Sequence, residues 1–357
     1  MTLPDTAREF LDRHLARVRR FRPPKRLVFP EGNDPRILAA AERLAREGLA
    51  APILIGPRPA QVHPGVTFVE PASSPRTAAY AALYHRRRAA RGVTAQAAAQ
   101  IARRPLYFAT LMVAAGDADG FVGGAATSTA ETVRAAIHSI GTAPGVRTVS
   151  GFFIMALPSR QAGHQGLFIF ADCAVVVSPS AAELADIALA AAATTRALLG
   201  VEPVVALLSF STKGSARHGE AEKVVKALEL IRARQPALEV DGELQADAAL
   251  VAAVGQSKSP GSRVPGRANT LIFPNLNSGN IGYKLVERLA GAAAFGPFLQ
   301  GLAKPANDLS RACTPEDVYS VAVITALQAE DGSATEPRPS GSGPGHSSTP
   351  SARAVPK

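Results

Sequence analysis

The stretch KRLVFPEGNDPRILAAAERLAREGLAAPILIG, residues 25–56, reads as a strand, a polar turn, a helix and a second strand. Lys25 to Pro30 is short and apolar at its centre, and the turn Glu31 to Pro35 stops it. Asp34 can accept from the first free N–H groups of a helix that starts at Pro35, whose missing N–H is no loss at that position. Gly48 ends the helix after Glu47, and Ala51 to Gly56 returns as a strand. A strand, a helix and a second strand in this order form the repeating unit of parallel sheets, so the spacing predicts an α/β fold.

The pattern extends in both directions. Upstream, residues 6–22 read as an amphipathic helix with Phe10, Leu11, Leu15 and Val18 on one side, expected to pack against a first domain. Downstream, helices are expected over Ser74–Gly92, Thr94–Arg103 and Phe108–Ala115, then a strand Gly120–Gly123 and a helix Thr129–Ile140. Apolar strands follow at Val149–Leu157, Leu167–Phe170 and Ala174–Val177, with a helix Ala181–Leu199. The rest alternates again: strand Val204–Leu208, helix Glu220–Gln235, strand Glu239–Asp241, helix Gln245–Val254, strand Thr270–Phe273 and helix Ser278–Leu289. From Asp331 the composition falls to Gly, Ser, Pro, Thr and isolated charges, too poor in apolar surface to offset the entropy of ordering, so 331–357 is expected to be a disordered tail.

At 357 residues the chain can hold one large or two ordinary α/β domains. Apolar content comes from Ala, Leu and Val with no Trp, which calls for tightly packed small side chains. The net charge is +10, but residues 1–26 hold eight Lys/Arg against three Asp/Glu, so half of the excess lies at the N-terminus. The aromatic interleaving of single-strand binders is missing, and no nucleic-acid partner is expected. Two cysteines, Cys173 and Cys313, stand 140 positions apart without a CxxC or Cys/His cluster, so neither a disulfide framework nor a metal site is indicated. The N-terminus lacks an apolar signal region, and Glu183, Asp186 and Arg196 interrupt the longest apolar helix, so neither export nor a membrane span is expected and the cytoplasm is the default.

Three regions could carry chemistry. Asp119-Gly-Phe-Val-Gly-Gly-Ala-Ala-Thr-Ser-Thr129 joins a strand end, a glycine pair, hydroxyls and a helix start, where free N–H groups and the helix dipole favour anions. Arg134 lies about a turn into that helix; a capped βα turn with a solvent-facing Arg accounts for the same residues. Arg86, Arg87, Arg88 and Arg91 sit near a helix C-terminus, where cations are favoured in any case, or where a multiply phosphorylated ligand could dock. Finally, Ser310, Arg311 and Asp317 place a hydroxyl, a guanidinium and a carboxylate within eight residues. Phosphate chemistry asks for an anion-binding Arg beside a proton acceptor. The loop Ser209–Ser215 lacks the glycine–lysine spacing of a nucleotide-binding P-loop, and the two carboxylates of Asp241–Gln245 are equally explained by a capped helix.

Taken in order, Phe29-Pro-Glu-Gly, Ala118-Asp-Gly-Phe-Val-Gly-Gly-Ala, Gly151-Phe-Phe-Ile-Met-Ala-Leu-Pro, Phe170-Ala-Asp-Cys, Ser211-Thr-Lys-Gly-Ser-Ala, Asp241-Gly-Glu-Leu-Gln, Phe273-Pro-Asn-Leu-Asn-Ser-Gly-Asn-Ile-Gly-Tyr-Lys and Leu302-Ala-Lys-Pro-Ala-Asn-Asp-Leu-Ser-Arg resemble the phosphate acetyltransferase (phosphotransacetylase) family, from about Lys25 to Ala329. The resemblance implies two three-layer α/β/α domains with an interdomain cleft, an architecture similar to isocitrate and isopropylmalate dehydrogenases. Residues 1–145 with 299–330 would form domain I, and 146–298 domain II. It also implies reversible acetyl transfer between acetyl-CoA and phosphate, giving acetyl phosphate and coenzyme A, with coenzyme A as substrate, no permanently bound cofactor and no metal.

In roles implied by the resemblance, Asp317 takes the thiol proton, Ser310 stands at the carbonyl, and Arg311 and Arg134 hold phosphate. Ser128 and Thr129 would contact phosphate at the helix start, either Arg88 or Arg87 would meet coenzyme A, and Lys304 and Asn277 would complete the substrate contacts. A homodimer through domain II is expected, with the apolar Val149–Leu157 region as a plausible face. A non-catalytic acetyl-CoA-sensing module and a transferase for propionyl or butyryl groups are the alternatives. Two departures stand out: Ala312 replaces the family's Gly after Ser-Arg, which matters only if that position needs a positive φ, and Asn275 replaces an Asp.

Overall fold

The computed structural model describes residues 3–331; the tail expected to be disordered lies almost wholly outside them. In chain order the elements are α1 (Asp5–Val18), β1 (Lys25–Phe29), α2 (Pro35–Arg46), β2 (Ala50–Ile55), β3 (Thr67–Val69), α3 (Thr77–Arg88), α4 (Ala95–Ile101), α5 (Pro105–Ala115), β4 (Gly120–Gly123) and α6 (Thr129–Ser139). They continue as β5 (Ser150–Ala156), β6 (Leu167–Ala171), α7 (Ala181–Thr194), β7 (Val204–Leu208), α8 (Gly219–Arg234), β8 (Glu239–Leu244), α9 (Ala246–Leu250) and α10 (Ala252–Lys258). The last are β9 (Thr270–Ile272), α11 (Leu276–Ala290), β10 (Ala293–Gln300), β11 (Ala306–Asp308) and α12 (Pro315–Asp331).

The strands build two sheets. The first is parallel throughout, in the order β11-β4-β1-β2-β3, and the second runs β10-β5-β6-β9-β7-β8 with β5 antiparallel to both of its neighbours. Near-continuous apolar runs such as Leu27-Val28-Phe29 suit strands covered on both faces. Leu27 and Phe29 join one apolar cluster while Val28 joins another, as the two-residue period of a strand requires. Helices α3 to α6 cover one face of the first sheet, and α9 to α11 one face of the second. The inner faces of both sheets, with α1, α2, α7, α8 and α12, share a single cluster that runs from Phe29 and Val122 to Ile154 and Leu207.

Several expectations are corrected by this arrangement. Ala174 to Val177 is not a strand, because the buried Asp172 carboxylate accepts from the N–H groups of Ala174, Val175 and Val176 and leaves none of them for a ladder. The apolar region Val149–Leu157 is no dimer face: β5 lies inside the second sheet, between β10 and β6, and is buried along its whole length. Helix α1 packs on more than the first sheet. Its Thr6 Oγ1 donates to Leu157 O at 2.6 Å, His14 Nε2 meets Leu198 O at 2.9 Å, and Phe10 stacks on Phe295 of β10. Strands β3, β10 and β11 were not anticipated; β11 is three residues long and carries too little periodic signal.

Candidate active site

In a parallel sheet all strands deliver their C-terminal ends to one edge, and a crevice opens where successive connections leave in opposite directions. Here that point lies between β1 and β4. Glu31 follows β1, the turn Gly124–Ser128 follows β4, and Leu309–Arg311 follows β11. Asn307 anchors the last of these. Its Oδ1 accepts from Leu299 N at 2.8 Å, while its Nδ2 donates to Thr325 Oγ1 at 2.8 Å and Gln328 Oε1 at 2.7 Å, tying β11 to β10 and α12.

The glycine-rich turn after β4 is not the open anion cradle that its residues suggest. Gly124 N and Ala126 N donate to Glu31 Oε1 at 3.0 and 3.1 Å, and Thr127 Oγ1 reaches the same oxygen at 3.2 Å. A carboxylate of the protein already fills that nest. Gly124 is required there: its φ is +113°, and a Cβ would overlap Asp308 Oδ1 and the Leu309 backbone. Beyond the nest, Ser128 caps α6 through a reciprocal box with Glu131. Among the described residues nothing takes the N–H groups of Thr129 and Ala130, so the first turn of α6 keeps two donors and its positive dipole end for an anion.

The segment after β11 is folded around its own polar groups. Ser310 Oγ accepts from Ala312 N at 3.2 Å, and Ser310 O from Cys313 N at 2.9 Å. Ala312 is not among the described non-glycine residues with positive φ, so its replacement of glycine carries no backbone strain. Asp317 Oδ2 accepts from Thr314 N and Thr314 Oγ1, both at 2.8 Å, closing a box at the start of α12 and leaving Oδ1 open. Ser310 and Asp317 line one cavity of about 680 Å³, together with Asp308 and Cys313; Phe295 of β10 and Arg288 of α11 face them from the second sheet. Burial foremost, and then the nearby Asp317, Asp34 and Glu31 carboxylates, push the Cys313 thiol pKa up despite Arg36. The Arg311 side chain is exposed and, among the described residues, forms no ion pair.

Arg36, absent from the sequence expectations, ties three site loops together. It pairs with Asp34 at 2.7 Å and donates to Ala125 O, Arg311 O and Cys313 O at 2.9, 2.8 and 3.2 Å. Nothing within a few residues of Arg36 announces partners that lie 89 to 277 positions away.

The remaining expected residues separate into two groups. Arg134 projects from the exposed side of α6, and with Arg88 it holds the His138 pKa below its ordinary value, after burial, which is the larger cause. Arg87 is engaged, donating to Ile140 O at 2.8 Å, whereas among the described residues Arg88 Nε is buried without a partner. Lys304 stands at the opposite edge of the first sheet, before β11, where its ammonium caps the C-terminus of α5 at Val113 O, 2.9 Å away. Asn277 sits exposed in the first turn of α11, at the far end of that helix from the cavity-lining Arg288. Neither reaches the Ser310 cavity. Asn275 is the cap of α11, its Oδ1 accepting from Ser278 N at 3.0 Å, a task an amide performs as well as a carboxylate. The loop Ser211–Ala216 is likewise closed by its own carboxylates: Lys213 pairs with Asp241, and Glu243 accepts from Ser211 Oγ and Gly214 N. Among the described residues no group of three or more His, Cys, Asp or Glu side chains is arranged to hold a metal ion.

Comparison with known proteins places this geometry among relatives. A family model described as phosphate acetyl/butaryl transferase matches residues 9–326. A phosphate acetyltransferase of Paracoccus denitrificans is 52% identical over 304 residues, which are 85% of this chain and 95% of that protein. One from Acetivibrio thermocellus is 45% identical over 314 residues, 86% of this chain and 94% of its own. Among solved structures, a phosphotransacetylase from Streptococcus pyogenes superposes with a TM-score of 0.85 at 40% identity, covering 91% of this chain and 99% of that one. A branched-chain phosphotransacylase from Enterococcus faecalis shares the fold, with a TM-score of 0.63 at 18% identity over 85% of this chain and 99% of its own.

Proposed function

The chain belongs to the phosphate acetyl/butaryl transferase family, and from that premise we propose which of its side chains carry the reaction. It is an acyltransferase, and its reaction is the reversible transfer of acetyl between coenzyme A and inorganic phosphate. In the direction of thioester synthesis, the thiol sulfur attacks the carbonyl carbon of acetyl phosphate. The S–C bond forms, the C–O bond to phosphate breaks, and the thiol proton passes to Asp317. An ordinary thiol lies about four pK units above an ordinary carboxylic acid, so the proton moves as sulfur attacks rather than beforehand. The open Oδ1 of Asp317 is the acceptor, because Oδ2 is held by Thr314.

Ser310 donates to the carbonyl oxygen as it gains charge. Arg311, Arg134, Ser128, Thr129 and the first N–H groups of α6 hold phosphate, and Arg88 in preference to Arg87 meets the phosphates of coenzyme A. What supports this reading above all is that Ser310 and Asp317 line one cavity, to which β10 and α11 also contribute lining residues. Lys304 and Asn277 are left out because of where they stand. We take residues 1–145 with 299–330 as one domain and 146–298 as the other, since β11 and α12 complete the first sheet's layers. We also take the chain to form a homodimer through α11, where Ile281, Leu285 and Leu289 are 57, 51 and 81% exposed on one helix face. No described helix is long and apolar enough to cross a membrane, and we place the reaction in the cytoplasm, where both cysteines would remain reduced thiols.

The test follows thioester absorbance with acetyl phosphate and coenzyme A. Asp317→Asn should lower kcat by about 10² to 10⁴, and Arg311→Ala should act mainly on KM for acetyl phosphate. Wild-type activity unchanged by both substitutions would remove these residues from the mechanism.

A further inference from the structure

Thr129, the first residue of α6, does not have its hydroxyl proton free. Its Oγ1 donates to Asp308 Oδ2 at 2.6 Å, across 179 positions of sequence. Asp308 is only 2% exposed, and among the described residues its second oxygen, Oδ1, has no hydrogen-bond partner. A buried carboxylate ordinarily gathers several donors, as Asp172 does in the second sheet with four backbone N–H groups. Asp308 has one side-chain bond, and Oδ1 looks onto Gly124, where the lack of a Cβ makes room for it.

The surroundings favour a proton on this group. Burial pushes the Asp308 pKa up to about 6, with the Glu31 carboxylate adding to the rise; the hydroxyls of Thr129 and Thr132 on α6 and the Leu309 N–H act in the opposite direction. Glu31 comes from the turn after β1, and Arg36 of α2 lies within its field. From α12, Asp317 shares the cavity that Asp308 lines. The guanidinium of Arg36 is paired with Asp34, and among the described residues no ion pair forms with Asp308.

We propose that Asp308 is the proton-controlled positioning residue of the phosphate site: protonated, it donates to Thr129 Oγ1 and turns the Thr129 hydroxyl proton toward a phosphate oxygen; ionised, it claims that proton for itself. No bond between heavy atoms changes, and the proton comes from solvent. One proton joins the carboxyl, and the direction of one hydrogen bond reverses, so Thr129 changes from a donor spent on the protein to a donor available to the ligand. A phosphate dianion beside α6 also repels an ionised Asp308, so phosphate binding takes up a proton. The inference rests on the reading that phosphate sits at the start of α6.

The experiment measures KM for inorganic phosphate with acetyl-CoA from pH 5.5 to 8.5 in wild type, Asp308→Asn and Thr129→Val. The ratio of wild-type to variant KM cancels the ionisation of phosphate itself. An Asn amide donates to Thr129 at every pH. The wild-type to Asp308→Asn ratio should therefore climb from near one at the acid end to about tenfold at pH 8, the worth of one charge-assisted hydrogen bond, with kcat changing much less. In Thr129→Val the KM should rise about tenfold at low pH and keep only the weaker pH dependence that repulsion of phosphate by ionised Asp308 leaves. A flat ratio for Asp308→Asn with a raised KM in Thr129→Val overturns the switch and leaves phosphate at α6. An unchanged phosphate KM in Thr129→Val overturns the placement of phosphate, and the switch with it. Should Asp308→Asn fail to fold, calorimetry of the binding of sulfate, a dianion at every pH used, to the wild-type protein in buffers of different ionisation enthalpy decides: proton uptake supports the proposal and none refutes it.

Discussion

Asp317 carries two tasks that mutation can separate. As the third residue of a capping box it holds Thr314 with one oxygen, and as the proposed base it offers the other to a thiol. Thr314→Ala removes the cap and leaves the carboxylate, and should cost about 1 kcal/mol of stability, seen as a lower denaturation midpoint, with a loss of kcat well short of that in Asp317→Asn. Equal losses of kcat in the two variants would mean that Asp317 acts only by shaping the start of α12. The box was within reach of a local reading, since Thr314 and Asp317 stand three residues apart, although the sequence marks Asp317 only as a proton acceptor beside Ser310 and Arg311. The Glu31 nest was not. The Gly124–Thr129 turn reads as an open anion site until a carboxylate 93 to 96 positions upstream is brought onto its N–H groups.

At the level of elements, the most exposed large apolar side chain among the described residues is Leu289 of α11, and Ile281 and Leu285 continue its row. A face of this kind on an ordered helix calls for a partner, and the chain's own β5, expected in that part, is enclosed by two strands. Leu285→Glu places a charge in the row and should convert a dimer to monomers while leaving the fold intact, read as a halved mass by light scattering. A wild-type protein that is already monomeric excludes the α11 interface. Helix and strand identities along the chain were mostly recoverable because the apolar period changes from two to near four within a few residues. The misread segment, Ala174–Val177, has the composition of a strand, and a single buried carboxylate decided otherwise.

For the whole molecule, the shared cluster between the sheets makes α1 a strap rather than an accessory. Phe10 is fully buried and meets Phe295, while Arg17 pairs with Glu330 of α12 at 2.7 Å and donates to Ala197 O beyond α7. Phe10→Ala should cost about 3 to 5 kcal/mol, in one cooperative denaturation step if both sheets depend on the cluster; two separate transitions in the wild-type protein would refute that coupling. The strap is also sensitive to acid. Burial, as the largest cause, holds the His14 pKa below its ordinary value, and Arg13 and Arg17 act in the same sense, outweighing the carbonyls of Phe10 and Leu198. The folded state thus binds this proton less readily than the unfolded one, and its contribution, complete above about pH 6.5, is lost as pH falls through the folded value. Asp308 opposes it: its raised pKa gives a contribution present at low pH and lost as pH rises through about 6. The comparison of wild type with His14→Gln isolates the first effect. The difference in melting temperature between them should change as pH drops from 7 to 5, and a constant difference would assign His14 a packing role alone.

Read by itself, the chain determined the alternation of strands and helices, the capped start of α2 at Asp34, and the chemical types gathered near Ser310, because these depend on side chains a few residues apart acting on their own backbone. Only the tertiary structure decided that Glu31 fills the turn beside α6, that Arg36 binds the site loops, that Lys304 serves the far edge of the sheet, and that Asp308 holds Thr129. Those partnerships join strand ends separated by tens to hundreds of residues. Which charge meets which donor there is fixed by the order of strands in the sheet, and no local period records that order.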